Sequence, residues 1–152
     1  MENKIRDFSS LRLTIYYLSY QILLRCPLNE FGLVNFVNNM SIREPNYAQK
    51  IIVSGQQLNE HADLLNQLNN LNLIPVPIEI KEKPNLNARV HYVFETKDGT
   101  SVCRVTMKGQ NGCIFVNGKP VEKDVILYEV LIPFLYGEAL GHFQRVISHL
   151  KS

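Results

Sequence analysis

Apolar residues recur with two different periods along this chain, and the change falls near Arg89. Upstream, Leu11, Ile15, Leu18 and Ile22 form one stripe at helical spacing, and Leu13, Tyr17, Tyr20 and Leu24 form a second. Ser9 and Ser10 can cap the start of such a helix, and Cys26-Pro27 stops it, so the pattern predicts a helix to about Arg25. A helix apolar on two sides is either central in the fold or half-covered by a partner. A shorter helix is expected after Asn29, with Phe31, Val34 and Val37 turned inward. The stretch "QKIIVSG" reads as a short strand ending at Ser54-Gly55. Ser54 and Gln57 then have capping-box spacing for a helix carrying Leu58, Ala62, Leu65 and Leu68 on one face. "LIPVPIEI" is extended, but Pro75 and Pro77 each remove a backbone donor, which restricts it to an edge strand or a polyproline-like arm. "KEKPNLNA" reads as a mobile loop.

From Arg89 the period becomes two. "RVHYVFET", "SVCRVTM" and "CIFV" are joined by "KDGT" and "GQNG", whose Asp-Gly and Asn-Gly pairs suit the positive φ angles of hairpin turns. With Asp98-Gly99 as the turn, Phe94 faces Cys103, Tyr92 faces Val105 and Val90 faces Met107; across the next turn Met107 faces Ile114 and Val105 faces Val116. These eight residues then share one side, as a sheet with one buried face requires. Asn117-Gly118 makes a further turn, and Asp124 is placed to cap a segment, Val125 to Leu135, whose pattern fits helix or strand. Ala139, Leu140, Phe143, Val146, Ile147 and Leu150 give a last amphipathic helix. The expected architecture is a single α+β domain over residues 1–152: N-terminal helices, an antiparallel meander with helices packed on one face, and a C-terminal helix.

At 152 residues and 45% hydrophobic content the chain has enough apolar side chain for one core. Sixteen basic against 14 acidic residues leave a net charge of +2, scattered rather than striped, which gives no support for nucleic-acid binding. Cys26, Cys103 and Cys113 are an odd number and do not suggest a disulfide framework, so a reducing, cytoplasmic setting is expected. "LTIYYLSYQILL" is too short to span a membrane and lacks the cleavage site of a signal peptide.

The glycines of "KGQNGCIFVNGKP" fit turn positions better than a phosphate cradle. Cys103 and His91 point to opposite faces of the meander and cannot form a dyad, while Cys113 shares a face with His91 but lies two strands away. Glu138, His142 and His149 lie roughly on one helix face, but no fourth ligand is marked and Arg145 is nearby, so they are read as surface. His61 is read as an edge or half-buried residue. No catalytic residue, metal site or cofactor is assigned. On the outer face of the meander, Arg89, His91, Val93, Arg104, Thr106 and Phe115 form a mixed aromatic and basic set that suits a partner interface if no helix covers it.

The meander "VHYVFETKDGTSVCRVTMKGQNGCIFVNGKPVE", about one fifth of the chain, with its flanking helices resembles small bacterial immunity proteins that inhibit secreted or contact-dependent toxins. The resemblance implies a tight stoichiometric complex with one toxin domain, occluding its active site or partner surface, with no turnover. A pI near 8.4 does not suit a cationic nuclease as that target. Two alternatives stay open: a phage or plasmid adaptor or anti-defence protein, and a domain binding a small ligand. A first helix apolar on two sides could also join two copies of the chain.

Overall fold

The computed structural model describes residues 7–22, 28–40, 47–76, 87–109 and 113–152. Its frame is an antiparallel sheet of six strands in the order β2-β1-β3-β4-β5-β6: β1 Leu11–Leu18, β2 Ala48–Val53, β3 Ala88–Thr96, β4 Ser101–Lys108, β5 Ile114–Val116 and β6 Lys119–Val121. The helices are α1 Glu30–Asn38, α2 Gly55–Glu60, α3 Ala62–Asn69, α4 Ile126–Glu129 and α5 Gly137–Lys151. The α+β class and the C-terminal helix therefore stand as the pattern predicted.

The first helix does not. Leu11–Leu18 is a strand between β2 and β3. Its apolar residues fill both sides of a strand as readily as two stripes of a helix, and Thr14, Ile15, Tyr16 and Tyr17 are β-branched or aromatic. Leu11, Leu13, Ile15 and Tyr17 enter the main core, while Tyr16 and Leu18 enter a second cluster behind the sheet. A dimer through an exposed first helix thus loses its premise. The expected continuation from Leu23 to Pro27 lies outside the described residues.

The meander pairs in the register read from its sequence: Phe94 with Cys103, Tyr92 with Val105, Val90 with Met107, Met107 with Ile114 and Val105 with Val116. Asn117 and Gly118 both have positive φ, 51° and 82°, the signature of the primed turn that joins β5 to β6. The core side of the sheet, face A, carries these residues against α2, α3, α4 and α5 through Leu58, Leu65, Leu68, Leu127, Ala139 and Phe143.

The capping box at Ser54 forms, with Ser54 and Gln57 bonded reciprocally, but the helix it starts breaks at His61 into α2 and α3. Gly55 opens α2 against the backbone of Ser9 and Leu11, an approach that only a residue without Cβ allows. Val125 to Leu135 resolves as α4 and a 3-10 turn at Ile132–Phe134, with Asp124 Oδ1 accepting from the Ile126 amide. Of the proline arm, Ile74 to Val76 runs beside β6: Pro75 bridges Val121, Val76 N donates to Pro120 O at 3.1 Å and Glu122 N donates to Ile74 O at 2.8 Å. Residues 77–86, with Pro77 and most of the expected mobile loop, lie outside the described residues, as does the Gln110 to Gly112 turn. Among the described residues no helix is long and apolar enough to cross a membrane.

One helix lies on the other side. α1 packs on face B, with Leu33 and Val37 against Tyr16, Leu18, Ala48 and Ala88. Asn29 caps it by accepting from the Gly32 amide. Its nine residues, at about 1.5 Å each, span about 14 Å, close to the three spacings of about 4.8 Å that separate β4 from β2. The side-chain contacts at its ends agree: Glu30 meets Thr106 and Arg104 of β4, and Asn38 meets Lys50 of β2. α1 thus crosses the strands and divides face B in two.

Candidate functional site

Face B is best followed rung by rung. One rung runs Lys50, Tyr16, His91, Thr106, Phe115 and Pro120 across successive strands, and its members from Lys50 to Thr106 lie at or beneath α1. The next rung, Ile52, Thr14, Val93 and Arg104, lies beyond it. This division decides what the residues expected at a partner interface can do.

His91, Thr106 and Phe115 belong to the first rung and are buried, so they form no open patch. For His91 and Thr106 the reason is α1, and nothing local signals that this short helix crosses the meander's outer face rather than joining the others on face A. Arg89 is buried as well and leaves the set altogether. A register shift between Ala88 and Val90 turns its guanidinium toward the end of β1, where Nη1 donates to Ser19 O at 2.5 Å and Nε donates to Asn87 Oδ1 at 3.1 Å. Of the five residues singled out, only Arg104 keeps solvent access.

His91, Thr106 and Arg104 instead converge on Glu30, a buried carboxylate in the first turn of α1. Thr106 Oγ1 donates to Glu30 Oε2 at 3.2 Å, and Arg104 Nε lies 3.5 Å from Oε1. The threonine's single proton is spent on the carboxylate, so at 2.9 Å its oxygen accepts from His91 Nδ1–H. Nδ1 of His91 thus carries a proton in this arrangement. Burial pushes its pKa down to about 4, against the pull of Glu30 at 3.8 Å, while Arg104 pushes the same way as burial. Sequence reasoning missed Glu30 because a glutamate after an Asn cap reads as ordinary helix-start chemistry; nothing local marks it as buried.

The groups weighed as ligands on the last helix separate. Glu138 Oε1 accepts from Ser19 Oγ at 2.6 Å and from Tyr17 Oη at 3.3 Å, and His142 stacks on Tyr20 with ring centroids 4.1 Å apart. His149 is exposed two turns further on. These contacts pin the start of α5 to the end of β1. His61 is half-buried edge-on to Phe134 at 5.3 Å. Cys103 is buried in the core, where desolvation raises its thiol to about 11, so it is not a nucleophile at neutral pH. No group of three or more His, Cys, Asp or Glu among the described residues is placed to hold a metal ion.

What face B offers outward is the second rung, apart from its buried Thr14, and its border. Ile52 is 58% exposed on β2, Val93 is partly exposed, and Phe31 at the start of α1 is 70% exposed. Leu28, Gly32, Phe36 and Met40 line a groove along one flank of α1, the flank whose Leu28 carbonyl accepts from Ala88 N. Phe31, Val34 and Asn38, spaced i, i+3 and i+7, are left for the flank bordering the open rung. Arg12 and Glu95 pair at 3.7 Å on the far side, and Arg104 closes the near side. The result is a shelf with an apolar floor, an aromatic edge and charged ends. Comparison of the chain with protein-family models, curated proteins and solved structures finds no match.

Proposed function

We propose that this chain is a non-catalytic protein-binding domain whose partner docks on the open rung of face B, and that it acts as an immunity protein neutralising a bacterial toxin. The observation that carries the binding reading is that Phe31, at the β4 end of α1, and Ile52, on β2, are both large apolar side chains more than half exposed at opposite ends of the same rung. Monomer surfaces expose such residues singly; an aromatic and an aliphatic group framed by arginines is interface composition. The His91 imidazole is buried, bonded to Thr106 and beside Glu30 of α1, which supports binding over turnover. The immunity role rests on the meander's resemblance.

The test starts with the tagged chain expressed in its own host and analysed by native mass spectrometry after gentle purification. A one-to-one complex with a single protein is expected, and Ile52→Asp or Phe31→Ala should weaken it about 30-fold or more, the range of an interface hot spot. Both positions are exposed, so melting temperature should stay within about 2 °C. Emergence alone or with only a small molecule would sink the proposal. A second reading, a small apolar ligand, is favoured by the groove of about 390 Å³ lined by Leu64, Ile132, Pro133 and Ile147 between α3 and α5.

A further inference from the structure

The two apolar clusters differ in how they are held. The face A core draws on all six strands and on α2 to α5, whereas the face B cluster consists of Tyr16, Leu18, Leu33, Val37, Ala48 and Ala88 and, among the described residues, is closed by α1 with Leu28 and Met40 beside it and by Ile22. α1 has little helix preference of its own: its nine residues, EFGLVNFVN, include one glycine, two asparagines and two valines. It is helical because it is docked, and docking rests on Leu33, Val37, the Glu30 cluster, and the bonds from Lys50 Nζ to Asn38 Oδ1 at 2.8 Å and from Ala88 N to Leu28 O at 2.7 Å.

We propose that α1 is a flap that opens from face B as a unit while the face A core stays folded, that the Glu30, Thr106, His91 and Arg104 cluster is its latch, and that mild acid releases it. Opening would uncover Tyr16, Leu18, Ala48 and Ala88 beside the Ile52, Thr14 and Val93 rung, and would carry Phe31 away from it. The flap therefore also redraws the surface proposed for the partner, but it stands whether or not a partner binds there.

The latch is closed around a neutral imidazole. Facing His91 are Glu30 from α1, Arg104 and Thr106 from β4, and Tyr16 from β1, with Lys50 of β2 lying 5.5 Å over the Tyr16 ring. A proton added to His91 would have to sit in a desolvated site beside a guanidinium that already engages Glu30. Opening exposes His91 to water and returns it to its ordinary value of 6.5 from about 4. The closed form binds the proton less well, so closure is fully favoured above pH 6.5 and weakens as pH falls toward 4. Two-site linkage with those values raises the opening constant about 30-fold between pH 7.5 and pH 5.

Hydrogen exchange of the full chain at pH 7.5 and 5.0, corrected for intrinsic chemical exchange, reads this directly. Amides of Leu33 to Val37 should exchange through an opening that leaves β1 and β3 protected, and that opening should be about 30-fold more frequent in acid. His91→Phe keeps a ring but cannot titrate, and should flatten the acid response. Leu33→Ala should raise α1 exchange about 100-fold or more with β3 protection unchanged, which tests the flap even where the His91 variant fails to fold. The proposal is overturned if α1 shares the protection of β1 and β3 at both pH values, or if the acid effect survives in His91→Phe.

Discussion

Replacing Thr106 by valine tests whether the polar cluster on face B holds the fold together. Valine keeps the shape of threonine and exchanges only the hydroxyl for a methyl, and Thr106 is 1% exposed, so packing changes little. Two hydrogen bonds disappear: the 3.2 Å donation to the Glu30 carboxylate and the 2.9 Å bond from His91 Nδ1. A bond to a charged group contributes about 1.5–3 kcal/mol and a neutral one about 0.5–1.5 kcal/mol. No water-exposed path replaces them, because Glu30 and His91 are both buried. The expected loss is about 2–4 kcal/mol, a large share of the 5–15 kcal/mol typical of a domain. Urea denaturation at pH 7.5 followed by circular dichroism measures it, with an unchanged m-value identifying a stability effect. A double-mutant cycle with Glu30→Gln should show coupling of about 1 kcal/mol or more, since both changes break the same chain of bonds. A loss below about 0.5 kcal/mol, with no coupling, would refute the idea that this cluster is a closed, desolvated network.

Two further outcomes follow from single contacts. Gly55→Ala should lower stability by about 1–3 kcal/mol, or about 2–12 °C in Tm at 2–4 °C per kcal/mol, although alanine is the better helix former. The new Cβ would overlap the Ser9 carbonyl oxygen and come within 2.5 Å of its carbon and 2.8 Å of Leu11 O, and backbone cannot rotate aside. An equal or higher Tm by calorimetry would show that the approach is looser than described. Iodoacetamide at pH 8 followed by peptide mapping should label half-buried Cys113 well before Cys103, whose thiol, raised to about 11, is ionised only about once in a thousand molecules. Labelling of Cys103 at the same rate would contradict its burial.

The meander was legible to the level of individual pairs because its information is local. Asn117-Gly118 fixes its turn by positive φ at both residues, and at the Asp98-Gly99 turn only Gly99 has positive φ, with a register shift between Phe94 and Glu95 beyond which the expected pairs hold; the alternation of Val90, Tyr92 and Phe94 then leaves one face for the core. The cap at Ser54, and the helix start after Asn29, were legible for the same reason. The segment from Leu11 to Leu18 was not. A run apolar on both sides satisfies helical and strand periods alike, and only its pairing with β2 on one side and β3 on the other selects strand.

The candidate site shows the same division. Arg104, His91 and Thr106 were correctly grouped by the alternation of β3 and β4, yet their exposure was not, since exposure depends on an element placed at long range. The sequence by itself determined the turns, the cap at Ser54, the meander's register and the amphipathic last helix, all set by neighbours within a few residues. The tertiary structure alone decided that α1 crosses face B, that Glu30 arrives against His91 and Thr106 across 61 and 76 residues of chain, and that Ile52 and Phe31 are left outward. Those outcomes turn on which apolar surface covers which, a competition among all the faces of the chain that no short window contains.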